Sequence, residues 1–245
     1  MRGGMENNRS DHVILREFLA LPHRAEAVLE KFSALPGALR RSGGEREGFV
    51  YVPATRQNAV LLVAHADTVG NEDAEIELAE TKRVIFNRRG ILGADDRAGC
   101  AMLWLLRDLG HGLLVTDGEE RGGIGTAFLT TAFPELYDEI NRRYNFMIQI
   151  DRRGGSDFKC YNVGTEEFRA YVAQKTGFAE PDRWSFTDIV GLCRDICGVN
   201  LSCGYHDEHT NTEYLVKAEW LHTLTLLRSW LADENLPDFP LTRGV

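Results

Sequence analysis

The chain has 245 residues, 43% of them hydrophobic, and a formal charge of -9. That length suits one compact domain, with a core large enough to fold without a disulfide or a metal. The acidic balance argues against a nucleic-acid-binding surface, and no run of about 18 apolar residues is present to span a membrane.

Residues 1–10 read as a disordered lead-in without the apolar stretch of a secretory signal, and residues 11–245 as a single domain. His12–Leu21 and Arg24–Leu35 have the pattern of two amphipathic helices split at Pro22. Ser42-Gly43-Gly44 is a turn, and Gly48–Pro53 and Asn58–Ala64 are strands. The second of these is apolar from Ala59 to Ala64, as a strand buried on both faces of an α/β sheet must be. Glu75–Asn87 is a charged hairpin or edge segment. Asp95 and Asp96 come next, at the start of a helix whose apolar residues, Ala98, Ala101, Met102, Leu105, Leu106 and Leu109, recur every three or four positions.

Gly112–Thr116 is another buried strand, running into the Gly-rich acidic loop Asp117–Gly125. Ile124–Phe133 reads as a helix ended by Pro134, Asn145–Ile150 as a strand ending on Asp151, and Phe158–Val163 as a further strand. Glu166–Thr176 and Thr187–Cys197 are helical candidates, Val199–Cys203 a last short strand, and Thr212–Leu231 a long closing helix. Strands alternating with helices predict a mixed, mostly parallel α/β sheet with helices on both faces. The five cysteines, at 100, 160, 193, 197 and 203, are irregularly spaced and form no C-x-x-C pair. They point to buried thiols in a reducing compartment, hence a cytoplasmic protein.

Four of the strands end on acids or histidines. His65 and Asp67 stand after one strand, Glu119 and Glu120 after another, Asp151 after a third, and His206 and His209 after a fourth. In open α/β sheets, ligands bind beyond the carboxyl ends of the strands. The helix beginning at Asp95 brings a fifth group to that edge. An acidic N-cap alone would account for one carboxylate there. Two adjacent acids on an apolar helix suggest a cation, with Asp95 bridging two metal ions. Zinc takes imidazole nitrogen and carboxylate oxygen, and paired ions about 3.5–4 Å apart need a bridging carboxylate. Of the two neighbouring glutamates, one can bind metal while the other stays free as a general base. Asp67 is placed to accept the His65 imidazole N–H and fix its tautomer.

His65-Ala66-Asp67, Gly93-Ala94-Asp95-Asp96-Arg97-Ala98-Gly99, Glu119-Glu120, Asp151 and His209-Thr210-Asn211-Thr212-Glu213 stand in the order found in the co-catalytic zinc exopeptidases. That superfamily holds aminopeptidases, tripeptidases and carboxypeptidases of the M20, M28 and M42 type, and the resemblance covers roughly residues 58–230. It implies a three-layer catalytic domain in which His65 and Asp151 bind one zinc ion, Glu120 and His209 the other, and Asp95 bridges. It further implies Glu119 as general base, Asp67 as the acid behind His65, and a cis peptide between Asp95 and Asp96. His206, three residues before His209, is the other candidate for the last ligand. Cobalt or manganese could replace zinc in such a donor set. Some members carry a lid between the last acid and the last histidine; here only 57 residues separate Asp151 from His209. Others insert a domain between the first histidine and the bridging acid, where this chain has 29 residues. The sequence therefore resembles a bare catalytic domain.

The resemblance implies an exopeptidase acting on small peptides, foremost an aminopeptidase. An amidohydrolase that removes an N-acyl group from an amino acid would use the same site. A non-catalytic binding domain on a hydrolase fold would have lost the base or a ligand, whereas all six candidate positions are filled. Arg152, Arg153 and Trp184–Asp188 are candidates to shape a substrate pocket. Tyr205 could donate to a tetrahedral intermediate or simply pack in its loop.

Overall fold

The computed structural model describes residues 2–181 and 187–241. The main sheet has seven strands: β1 (Leu39–Ser42), β2 (Gly48–Val52), β3 (Leu61–His65), β6 (Gly112–Thr116), β7 (Met147–Arg152), β8 (Phe158–Lys159) and β9 (Gly198–Ser202). Their order is β1-β2-β6-β3-β7-β9-β8. The central strands β6, β3, β7 and β9 run parallel, while β1, β2 and β8 join antiparallel at the edges. A smaller sheet holds β4 (Leu78–Glu80), β5 (Val84–Asn87), β10 (Tyr205–His206) and β11 (Tyr214–Val216), all antiparallel.

Side-chain alternation divides the core into two layers. Val50, Leu62, Ala64, Leu113, Val115, Ile148 and Ile150 face one side of the sheet. There they meet α1 (Arg2–Leu19), α2 (Ala25–Ser33), α3 (Ala94–Leu106), α6 (Glu166–Thr176) and α8 (Lys217–Leu231). Phe49, Tyr51, Leu61, Val63, Leu114 and Met147 face the other side, against α4 (Ile124–Ala132), α5 (Pro134–Arg143) and α7 (Asp188–Leu192). Each Leu or Val buried in this way contributes about 1.5–3 kcal/mol. The result is the expected three-layer sandwich with a mixed, mostly parallel sheet.

Several boundaries differ from the sequence reading. The backbone is helical from Arg2, so α1 takes in most of the stretch read as a disordered lead-in. Pro134 does end α4, but it also starts α5, since the first helical turn needs no N–H from it. Phe158–Val163 keeps only two residues as a strand, and Thr187–Cys197 only five as a helix. Thr212–Leu231 splits: Tyr214–Val216 pairs with β5, and the helix starts at Lys217. Pairing across the small sheet overrides the helical pattern there. Of the candidate pocket segment, Trp184, Ser185 and Phe186 lie outside the described residues.

Candidate metal centre

The carboxyl ends of β3, β6 and β7, together with the loop after β10, meet the kinked start of α3 at one edge of the main sheet. Asp95 and Asp96 both have non-helical backbone angles, and the peptide bond between them is cis. The two acids consequently do different work. Asp96 accepts the N–H of Gly99 at 3.0 Å on one oxygen and that of His65 at 3.2 Å on the other. It serves as the N-cap of the regular helix and ties that helix to the end of β3. Asp95 is left to face the site. Gly99 has to be glycine, because a Cβ there would fall 2.0 Å from the Ile150 carbonyl oxygen.

The Asp95 carboxylate lies between two histidines. His65 Nε2 is 3.0 Å from Oδ1, and His209 Nε2 is 3.2 Å from Oδ2. Asp151 Oδ1 lies 3.5 Å from His65 Nε2 on one side, and Glu120 Oε1 lies 2.8 Å from His209 Nε2 on the other. Asp67 sits behind this row. Its Oδ1 is 3.3 Å from His65 Nδ1, and its two oxygens accept the backbone N–H groups of Glu119 and Glu120 at 3.1 and 3.2 Å. The Asp67 backbone carbonyl is closer still to His65 Nδ1, at 3.1 Å, so residue 67 sets the imidazole through its backbone and side chain and the acidic loop through its carboxylate. All seven residues singled out in the sequence, His65, Asp67, Asp95, Glu119, Glu120, Asp151 and His209, belong to this one region of the molecule.

His206 goes elsewhere. Its Nε2 is 2.7 Å from Glu219 Oε2, and its ring stacks on Tyr214. Tyr205 donates to Asp151 Oδ1 at 3.1 Å, and so orients that carboxylate. Three further groups hold Asp151: Thr187, from the candidate pocket segment, and Gln149 and Asn200, which the sequence reading did not single out. The Thr187 hydroxyl and the Gln149 amide nitrogen donate to Oδ2 at 2.9 and 3.0 Å. Asn200 accepts from the Asp151 backbone N–H at 2.9 Å and donates to its carbonyl at 2.7 Å. Gln149 Oε1 in turn accepts the N–H of Ile189 at 3.1 Å. Gln149 and Asn200 are fully buried polar residues inside otherwise apolar strands, and that was the available signal. Arg152 is buried and 3.9 Å from Asp157, and Arg153 pairs with Glu208 at 2.8 Å.

Burial and charge crowding perturb these groups strongly. Burial pushes the Glu119 carboxyl up to about 9, with Asp151, Asp188 and Asp95 adding to the shift against the pull of His65. Burial and the neighbouring Asp95 push Asp151 up to about 7. Hydrogen bonds to Asp95 and Glu120 hold His209 up at about 10. Burial alone would lower His65, but Asp151, Asp67 and Asp95 raise it well above its ordinary value. Against its own burial, Asp95 is held low by the two histidines. So many carboxylates crowded into one largely buried cluster call for positive charge, and imidazole and carboxylate donors without a thiol suit a zinc-type divalent cation. Two groups bring ligand atoms within 4.8 Å of one another: His65, Asp95 and Glu120, and His65, Asp96 and Asp151. Both Asp96 oxygens already accept backbone N–H groups, which leaves Asp95 as the better donor of the adjacent pair.

Known structures share this architecture. The aminopeptidase PepT of Bacillus cereus superposes with a TM-score of 0.65 at 15% identity, over 93% of this chain and 98% of that one. A tripeptidase of Staphylococcus aureus gives 0.66 at 14%, over 92% and 98%. The LapA aminopeptidase of Legionella pneumophila gives 0.64 at 14%, over 93% and 70%. At such identities the likeness establishes a common fold. No protein-family model matches the sequence, and no curated protein matches it.

Proposed function

We propose that the protein is a two-metal exopeptidase, an aminopeptidase that acts on small peptides. The reading rests on one observation: the two oxygens of Asp95 each face a different histidine, and each histidine has its own second carboxylate, Asp151 or Glu120. A bridging carboxylate between two ions needs this two-sided arrangement. His65 and Asp151 would hold one ion, His209 and Glu120 the other, and Asp95 both. Zinc fits the donors best, with cobalt or manganese accepted by the same set. When bound, the ions polarise the scissile carbonyl and make water acidic enough to attack at neutral pH.

The protein's own groups do the rest. Glu119, buried beside His65, Asp95 and Asp151, takes the proton of the attacking water and returns it to the leaving amine once bound cations keep its carboxyl ionised. Asp67 holds the His65 ring in one orientation and anchors the Glu119–Glu120 loop, so base and ligand keep their separation. Tyr205, Thr187 and Gln149 aim Asp151. None of the five cysteines is in a disulfide and all are buried, which supports a reducing compartment such as the cytoplasm. None of the described helices is long and apolar enough to cross a membrane.

The test is metal content of the purified protein, read beside hydrolysis of aminoacyl amides, short peptides and N-acyl amino acids. Two ions per chain and cleavage that needs a free α-amine are expected. Cleavage confined to N-acyl amino acids would favour a deacylase. No bound divalent metal and no amide hydrolysis would remove the enzymatic reading.

A further inference from the structure

Glu213 is 1% exposed and lies directly behind the proposed bridging acid. Its Oε2 accepts the N–H of Gly93 at 2.7 Å, and its Oε1 accepts the N–H of Asp95 at 3.2 Å. Among the described residues no basic side chain pairs with it. A buried carboxylate without a cation is costly and is retained where its two acceptor oxygens are needed. Here they take two N–H groups of the turn that carries Asp95. A glutamine could accept only one of these bonds through its oxygen and would turn a donor toward the other.

Glu213 is also tied to the last candidate ligand. Its own N–H donates to the Thr210 carbonyl at 3.1 Å, closing a tight turn over residues 210–213 directly after His209. His209 has a left-handed backbone, φ 65°, and sets its ring on the outer oxygen of Asp95. Residues 209–213 therefore hold Asp95 twice, by its side chain through His209 and by its backbone through Glu213. On the far side of Glu213, β11 pairs Tyr214 with Phe86, fixing the turn to the small sheet.

We infer that Glu213 is a positioning residue, which aims the Asp95 carboxylate so that one oxygen serves each ion. The inference rests on the two-metal reading above.

The role has a signature that a merely structural clamp lacks. In E213Q, zinc affinity measured by calorimetric titration of the chelator-treated full chain should fall about 10- to 100-fold. The unfolding temperature of the same variant should fall less in chelator than in saturating zinc, because chelated protein loses only a hydrogen bond whereas zinc-loaded protein also loses metal binding. The rise in unfolding temperature on adding zinc should shrink. Unchanged zinc affinity would overturn the proposal. So would equal falls in unfolding temperature with and without zinc, which would mark Glu213 as a structural clamp. Should E213Q not fold, E213D, which keeps the charge but draws it back by one methylene, is titrated instead. A loss of about 10-fold in E213D supports the proposal, and wild-type affinity overturns it. Wild-type protein that takes up no zinc would overturn the two-metal reading itself. Zinc uptake by the wild type with no change in the variants would overturn only the role of Glu213.

Discussion

The carboxylate of Asp67 receives the backbone N–H of Glu119 at 3.1 Å while its Oδ1 stands 3.3 Å from the His65 ring. A single buried acid therefore couples a candidate ligand to the candidate base. Asp67→Asn leaves only one acceptor oxygen for the two N–H groups of Glu119 and Glu120, and turns an amide donor toward the other. Turnover and metal affinity should each fall about 10- to 100-fold, with the fold intact by circular dichroism. Wild-type kinetics in Asp67→Asn would show that the loop holds its place without it.

Glu119→Gln should separate binding from chemistry. Glutamine keeps the size of glutamate but cannot accept the water's proton. The variant should keep both metals and lose at least about 10²-fold in turnover. Glu120→Gln should instead lose affinity for one ion and regain part of its activity in excess metal. Metal stoichiometry beside turnover decides the matter. Metal loss in Glu119→Gln would mean that the two glutamates have exchanged roles.

Asp95→Ala removes a ligand from both proposed ions, so it should cost more metal than any other single change. His65→Ala and His209→Ala should each weaken mainly one ion. His206→Ala should leave the metal content unchanged, since His206 is bonded to Glu219. Titration of the four variants with zinc tests the set. Metal loss on replacing His206 but not His209 would move the last ligand.

His111 supplies a prediction away from the site. Its Nδ1 accepts the N–H of Val60 at 3.2 Å, and its Nε2 lies 2.9 Å from the Leu231 carbonyl. The neutral ring satisfies both partners, whereas protonation would set N–H against N–H. Burial, with Arg56 nearby, lowers its pKa to about 4. The folded value lies below the unfolded value of about 6.5, so its contribution is complete above pH 6.5 and is lost as pH falls toward 4. Between about pH 7 and pH 5 it should remove about 2 kcal/mol. Urea unfolding in chelator should show this loss in the wild type and a flatter pH dependence in His111→Asn. Equal slopes would assign the acid sensitivity to other groups.

The central sheet was readable because its strands carry apolar residues on both faces, as Leu61–Ala64 and Gly112–Val115 do. The site was readable because His65, Asp151 and the Glu119–Glu120 loop stand directly after those strands. The acids at 95 and 96 were seen together, but only geometry divides them into an N-cap and a free carboxylate. The small sheet was less accessible. Its strands β10 and β11 are two and three residues long and acquire strand geometry only from partners distant in the chain. Glu213 stood four residues after His209 in plain view, yet its role depends on the turn that brings its carboxylate to Gly93 and Asp95.

The Gln149 amide has a consequence beyond holding Asp151. Its oxygen is taken by the N–H of Ile189 and its nitrogen by the Asp151 carboxylate, so it cannot rotate end for end without losing both bonds. The chain of bonds has a sense, running donor to acceptor from α7 to the acid. Each link polarises the next, and the amide hands the carboxylate a stronger donor than it would be alone. A Gln149→Glu exchange would preserve every dimension of this arrangement and reverse its last link, setting one acid against another. What fixes the direction of Asp151 is thus the polarity of an uncharged neighbour, and an ionised side chain of the same shape could not take its place.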